Sequence, residues 1–571
     1  MRKNVLALSI AAMIGGLGFA GAASAGVVPG TGTFNGTNQL TTTNATVLQI
    51  SDAGVGHNLL VPYFTAQNNN MSVFHVVNTD TSNGKAVKVR FRSASNSDDI
   101  LDFQVFMSPG DVWTAAVTQG SDGVAQIVTA DNTCTVPKLT ANVPQKFILD
   151  RLNPSLAAGD KANQTREGYV EIFNMADIPP NNGGTAAAPT LYGAIKHASN
   201  VAPCSVDGSV AQTLLNTVAV TNFTTEAQAA TAGFNTPSSG LMGDWYILNL
   251  PQTTTFSGAA TSVAARVAVN GADGRGNFVH FPQTNASAGN VDTFTADPLF
   301  RTDARPATQG TTGGTYGAPL GTATLAASFF DLPDMSTPYT AAVPASATAA
   351  PLEQADLLTT ALAVTSVTNQ YATDTSISAK TDWVFSMPTR RYSVVANYAA
   401  TGVVGNQNVV GITAPNYRLF SQLNGGTVAG GEWFLPTNTS VDSVGNICVA
   451  ADSQRFWNRE ETTAGAAGTP PVFSPGNPLA PSVVRFCGET SVLAFADAGA
   501  SSLGGNVART TITAGTYTNG WGAINTTNGG NGLPILGSSF IKLSNPNVGN
   551  GVSGNFGITW PHRNTRIQTV N

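Results

Sequence analysis

The chain has 571 residues, with 27 basic and 33 acidic side chains and a net charge of −6. That balance argues against a nucleic-acid partner, which needs a basic footprint. Only 11% of residues are charged while 42% are hydrophobic, so the chain can build cores and is not generally disordered.

Residues 1–25 read as a secretory signal peptide. Arg2 and Lys3 supply the positive start, residues 5–20 are apolar, and Ala23-Ser24-Ala25 is a small-residue cleavage site before Gly26. No later run approaches the ~20 apolar residues of a spanning helix. Residues 26–46, rich in Gly, Thr and Asn, are expected to form a flexible N-terminal arm, or a strand donated to a neighbour.

A first β-rich region is expected over 47–282. Candidate strands are 58–64, 72–78, 85–92, 100–107, 168–174, 244–250, 262–269 and 277–281. Within 85–92, Lys88, Arg90 and Arg92 alternate with Val87, Val89 and Phe91. That period of two predicts a strand with one face in the core and one in water. Leu101, Phe103, Val105 and Met107 alternate in the same way with Asp102 and Gln104. Asn83-Gly84 reads as a type I′ hairpin turn, and Pro62 as a mark of an edge strand or a bulge.

Hard cations want clustered oxygen ligands. Asp98 and Asp99 with Asp102, and Asp273 in a Gly-rich loop, are candidate calcium ligands, although neither cluster follows the EF-hand pattern. Four cysteines in an exported chain suggest disulfides. Of three pairings, Cys134–Cys204 and Cys448–Cys487 keep each bridge within one half of the chain.

Residues 283–375 read as a loop-rich linker with a helix near 351–367, where Leu357, Leu358, Ala361, Leu362 and Val364 recur at helical spacing. A second β-rich region is expected over 376–571. The predicted fold is therefore all-β and multi-domain, β-sandwich-like, with one or few short helices and long Gly/Thr/Ala-rich loops.

Reaction chemistry is sparse. The five histidines show no metal-ligand spacing, and His75 and His280 read as structural residues in strands. Gly549, Gly551 and Gly554 match Gly-x-Gly-x-x-Gly, but the flanking Asn, Pro and Gly make this a turn. Arg390 and Arg391 read as a solvated strand end. Trp113, Trp245, Trp383 and Trp560 are candidates for packing or for stacking on sugars.

Five segments carry a resemblance: LLVPYFTAQNNNMSVFHVVNTD (59–80), GKAVKVRFRSASNSDDILDFQVFMSPGDVWTA (84–115), REGYVEIFNMAD (166–177), GDWYILNL (243–250) and TDWVFSMPTRRY (381–392). In this order they resemble a family of exported proteobacterial cell-surface proteins. It includes surface-layer (S-layer) proteins of betaproteobacteria and the sheath of vesicle-enclosing nanopods. The resemblance implies a non-catalytic, extracellular subunit on the surface of a Gram-negative bacterium. Its partner would be itself, in a homo-oligomeric lattice. A separate expectation, from the acidic loops, is that divalent cations bridge them to each other or to lipopolysaccharide. The alternative expectation is a secreted adhesin or carbohydrate-binding surface protein.

Overall fold

The computed structural model describes residues 26–149, 152–153, 156–283, 335–341, 350–392, 394–396, 417–419, 433–434, 438–442, 444–460, 473–474, 484–495, 501–512, 517–527, 531–549 and 552–566. The expected signal peptide and most of the 283–375 linker lie outside these residues. The fold is mostly β, with several antiparallel sheets and five α-helices among the described residues.

Two antiparallel sheets make the first sandwich. One has seven strands, ordered Val47–Ile50, Thr261–Arg266, Asn58–Thr65, Glu167–Ile178, Gly84–Ser93, Asp99–Met107 and Cys134–Val136. The other has six: Gln145–Lys146, Ala125–Val128, Val112–Gln119, Asn70–Asn78, Leu241–Asn249 and Thr254–Ala259. Alternation aims Val87, Val89, Phe91, Leu101 and Phe103 at Phe74, Val76, Trp113 and Trp245 across the core. Phe91 anchors an aromatic cluster there, with ring centroids 5.4 Å from Phe64, 5.5 Å from Phe74 and 5.2 Å from Phe147.

The Asn83-Gly84 hairpin is a correction. Asn70–Asn78 pairs with Val112–Gln119 and Leu241–Asn249, whereas Gly84–Ser93 belongs to the other sheet. The intervening loop is a corner between sheets, and the Asp80 carboxylate organises it. Asp80 accepts hydrogen bonds from the Ser82 and Asn83 backbone and from Asn83 Nδ2. Pro62 does mark a bulge. The register slips where Gly168 pairs with Phe64 and Val170 with Val61, although the strand is central rather than at an edge.

The arm is docked, not flexible. Gly26–Val28 pairs with Phe278–His280, the Thr31 backbone donates to Glu226 Oε1 at 2.6 Å, and Leu40 is buried. Four helices lie within the expected β-rich region: Ala158–Gln164, Leu191–Ile195, Val210–Val220 and Glu226–Ala232. The anticipated helix spans Ala350–Leu362 and stops short of 367. Strand Ala363–Ala372 takes over there, as Val364, Thr365, Val367 and Thr368 favour extended backbone. Ala355, Leu358 and Ala361 share a core cluster with Leu48 and Ile50.

The second sandwich thus begins at 363, earlier than the expected 376. One sheet runs Ser453–Asn458, Asn519–Asn525, Ala363–Ala372 and Leu533–Pro534, with Arg563–Arg566 also paired to Ala363–Ala372. The other runs Phe473–Ser474, Arg509–Ile512, Thr490–Phe495, Lys380–Ser386, Leu536–Gly549 and Val552–Pro561. Trp383, Phe385, Phe456 and Phe495 fill the space between them. The two sandwiches are not independent. Phe540 of the second packs on Tyr63, Trp245 and Phe256 of the first, with centroids 6.2, 5.9 and 5.5 Å away.

Candidate functional site

Lys88, Arg90 and Arg92 do not face water; each is at most 1% exposed. Register places Arg90 directly between Asp102 and Glu171 on its two neighbouring strands. Lys88 Nζ lies 2.5 Å from Asp102 Oδ1, Arg90 Nη2 lies 3.8 Å from Asp102 Oδ2, and Arg92 Nε lies 3.3 Å from Glu171 Oε2. Lys85 and Arg275 converge on Asp177 at 2.9 and 3.2 Å. Residues from elsewhere close this face. Gln283 Nε2 donates to Asp102, Gln104 donates to the Phe281 carbonyl, and the Tyr169 hydroxyl donates to the Pro388 carbonyl. Buried charges persist only when paired. Burial pushes the Asp102 carboxyl up, but Lys88 and Arg90 outweigh it and hold the group well below the usual range.

The calcium candidates fall in two separate places. Asp98, Asp99 and Asp102 are at most 9% exposed, and Asp102 is engaged by cations of the chain itself. Asp273 pairs with Arg266 at 3.4 Å, in a separate loop. The 94–98 loop joins the two sandwiches instead. Thr490 and Glu489 backbone N–H groups donate to the Ala94 and Ser95 carbonyls, and Ser95 Oγ donates to Asn446. Gly488 (φ +78°) makes this approach feasible, because a Cβ there would sit 2.5 Å from the Ala94 oxygen.

Arg390 and Arg391 are a second correction: they are buried, at 0% and 4% exposure. Arg390 Nε donates to Glu489 Oε2 at 2.6 Å, and its Nη2 donates to the Ser95 carbonyl at 3.4 Å. Arg390 thereby ties the two sandwiches together at this joint. Trp113, Trp245 and Trp383 are core residues, while Trp560 remains exposed.

The buried histidines are held as neutral rings. His57 donates from Nε2 to the Gly274 carbonyl and accepts at Nδ1 from the Ala265 N–H. His562 donates to the Val384 carbonyl and accepts from Asn369. Burial lowers His57 to about 4 and both His280 and His562 to about 3. Glu167 moves the other way, to about 7, because burial outweighs the N–H groups of Asn506 and Val507 that bind it.

Both expected disulfides are present, Cys134–Cys204 and Cys448–Cys487. Asp442 lies near the second, but its sulfurs are bonded to each other and offer no thiolate for a metal. An open cleft holds Asp111, Asp131 and His197. Its carboxylates cap loops: Asp111 accepts from the Ser108 and Val112 N–H groups, Asp131 from those of Thr114 and Thr133.

Among the described residues, two exposed aromatic features lie on the second sandwich. Leu536–Gly549 and Val552–Pro561 pair as antiparallel strands, with Gly549 opposite Val552. The outer strand shows Phe556 at 60% and Trp560 at 45% exposure, with half-buried Ile558 between them on the same face. Trp521, 41% exposed, stacks on Trp457 on the second sandwich. No helix among the described residues is long and apolar enough to cross a membrane. Two disulfides fit a non-reducing compartment. In comparisons with known proteins, no family model, curated protein or solved structure matches the chain.

Proposed function

We propose that this protein is a non-catalytic structural subunit of the bacterial cell surface. It self-associates into an S-layer outside the outer membrane, or into the sheath of vesicle tubes. The observation that carries the reading is the apolar strip of Phe556, Ile558 and Trp560 on the last strand of a sheet. A row of exposed apolar side chains can seat a partner's apolar surface, and a strand with an unpaired side can extend a sheet into a neighbouring copy. Support also comes from the joined sandwiches, the two disulfides, and the ion pairs and loop caps that engage buried ionisable groups among the described residues. Contact between non-identical patches propagates into a sheet or tube.

The test is sedimentation and electron microscopy of the exported protein over a concentration series. Wild type forms ordered arrays, and Phe556→Ser with Trp560→Ser stays monomeric with unchanged circular dichroism. Wild type that remains monomeric at high concentration, or a double variant that still forms arrays, overturns the reading.

A further inference from the structure

We infer that the open face of the Ser453–Asn458, Asn519–Asn525, Ala363–Ala372 and Arg563–Arg566 sheet binds an acidic polysaccharide. Register defines the face. Trp457 pairs with Trp521, and Trp521 with Gln370, which makes one row across three strands. In the next row Arg455 pairs with Ala523, Ala523 with Thr368, and Thr368 with Arg563. Directly paired residues point to the same side of a sheet, so both rows share one surface. The opposite surface, with Phe456, Gly522 and Ile524, is the core.

The two indoles are parallel, with centroids 4.0 Å apart and planes at 9°. Stacked rings leave only their outer faces and edges available, and Trp521 is 41% exposed. An outward indole face suits the axial C–H groups of a sugar ring, and the amide and hydroxyl of Gln370 and Thr368 suit its hydroxyls. Arg455 and Arg563 are both exposed and end the second row. Three strand spacings separate them, about 14 Å. That distance spans more than one sugar unit, so the ligand is a chain rather than a monosaccharide.

Charge selects the kind of chain. The protein is acidic overall, yet this face carries two arginines and no carboxylate on its four strands. Asp374, Asp452 and Glu460 all lie beyond the strand ends. Guanidinium groups bind carboxylates in a bidentate fork. A uronic-acid polymer therefore meets rings, hydroxyl partners and counter-charges in one plane.

The experiment is affinity electrophoresis of the full exported chain in gels containing polygalacturonate or neutral dextran. Polygalacturonate retards wild type and dextran does not. Trp521→Ala weakens the retardation by about tenfold. Arg455→Gln with Arg563→Gln abolishes its dependence on salt. Trp521→Phe keeps part of the binding, and Phe556→Ser with Trp560→Ser keeps all of it, which separates this site from the assembly strip. Equal retardation by dextran, no retardation of wild type, or unchanged binding by Trp521→Ala overturns the inference. So does a Trp521→Ala variant that loses self-association instead, since the face would then be a contact between copies.

Discussion

Arg90 sits between Asp102 and Glu171, and all three are buried. Removing one charge from such a set strands its partner. Asp102→Asn is expected to destabilise the protein by roughly 3–5 kcal/mol, read as a lower urea midpoint with an unchanged slope. Lys88→Met with Asp102→Leu should lose less than the sum of the single changes, because neither charge is then left alone. Titration is a second expectation at this scale. His57 and His562 fold with depressed values, about 4 and about 3, against 6.5 unfolded. Their contribution is complete above pH 6.5 and is lost as the pH falls toward the folded values, about 2 kcal/mol each by pH 5. Glu167 is raised to about 7 from 4.5. Its contribution is complete below pH 4.5 and is lost as the pH rises through 7. Stability against pH should therefore be a dome, and Glu167→Gln should flatten its alkaline side. A variant profile identical to wild type above pH 6 would contradict the burial of that carboxylate.

Elements are legible in the sequence where hydrophobic alternation is strong, and illegible where a residue's meaning depends on a distant strand. The strands around 58–65, 84–93 and 99–107 follow from period-two patterns. The same patterns hid the fate of Lys88, Arg90 and Arg92, since alternation distinguishes two faces but cannot say that both are covered. One clue was present: Asp102 falls opposite Arg90 once the two strands are paired. The sequence shows Asp98, Asp99 and Asp102 as a carboxylate cluster, and only the paired strands reveal that Lys88 and Arg90 engage Asp102. Helix Glu226–Ala232 was recoverable, because Thr225 and Gln228 form a capping box, a four-residue signal. Both disulfide pairings followed from keeping each bridge local. Cys448 and Cys487 turn out to be direct cross-strand partners, separated by 39 residues in sequence. Replacing both by Ala should destabilise by about 4 kcal/mol at most, the loop entropy returned to the unfolded chain. Hydrogen exchange in 439–450 and 485–487 should speed up, while that in 84–107 stays slow. Equal acceleration in both would mean that the sandwiches unfold as one unit.

For the whole molecule, the proposed self-association needs a force, and the charges of Lys88, Arg90, Arg92 and Arg390 are already paired inside the chain. Phe556 and Trp560 leave roughly half of their ~150–250 Å² accessible each. Covering that area contributes on the order of 5 kcal/mol. Association itself costs ~4–15 kcal/mol, so a single such contact is marginal. Arrays would then form only where each subunit makes several contacts at once, which predicts a sharp critical concentration rather than a gradual rise. A hydrophobic contact also has a distinctive response to conditions. It strengthens on warming from the cold and in sulfate, whereas an ionic contact weakens with any added salt. The critical concentration should fall on warming and on addition of ammonium sulfate, and change little in moderate sodium chloride. Chelator should leave arrays intact, because Asp98, Asp99 and Asp102 are sealed in the interior and Asp273 is paired with Arg266. Light scattering against protein concentration, with and without chelator, measures all of these. Arrays that dissolve in chelator or in modest salt would place the contact on bridged carboxylates elsewhere on the surface and remove the apolar strip from the assembly.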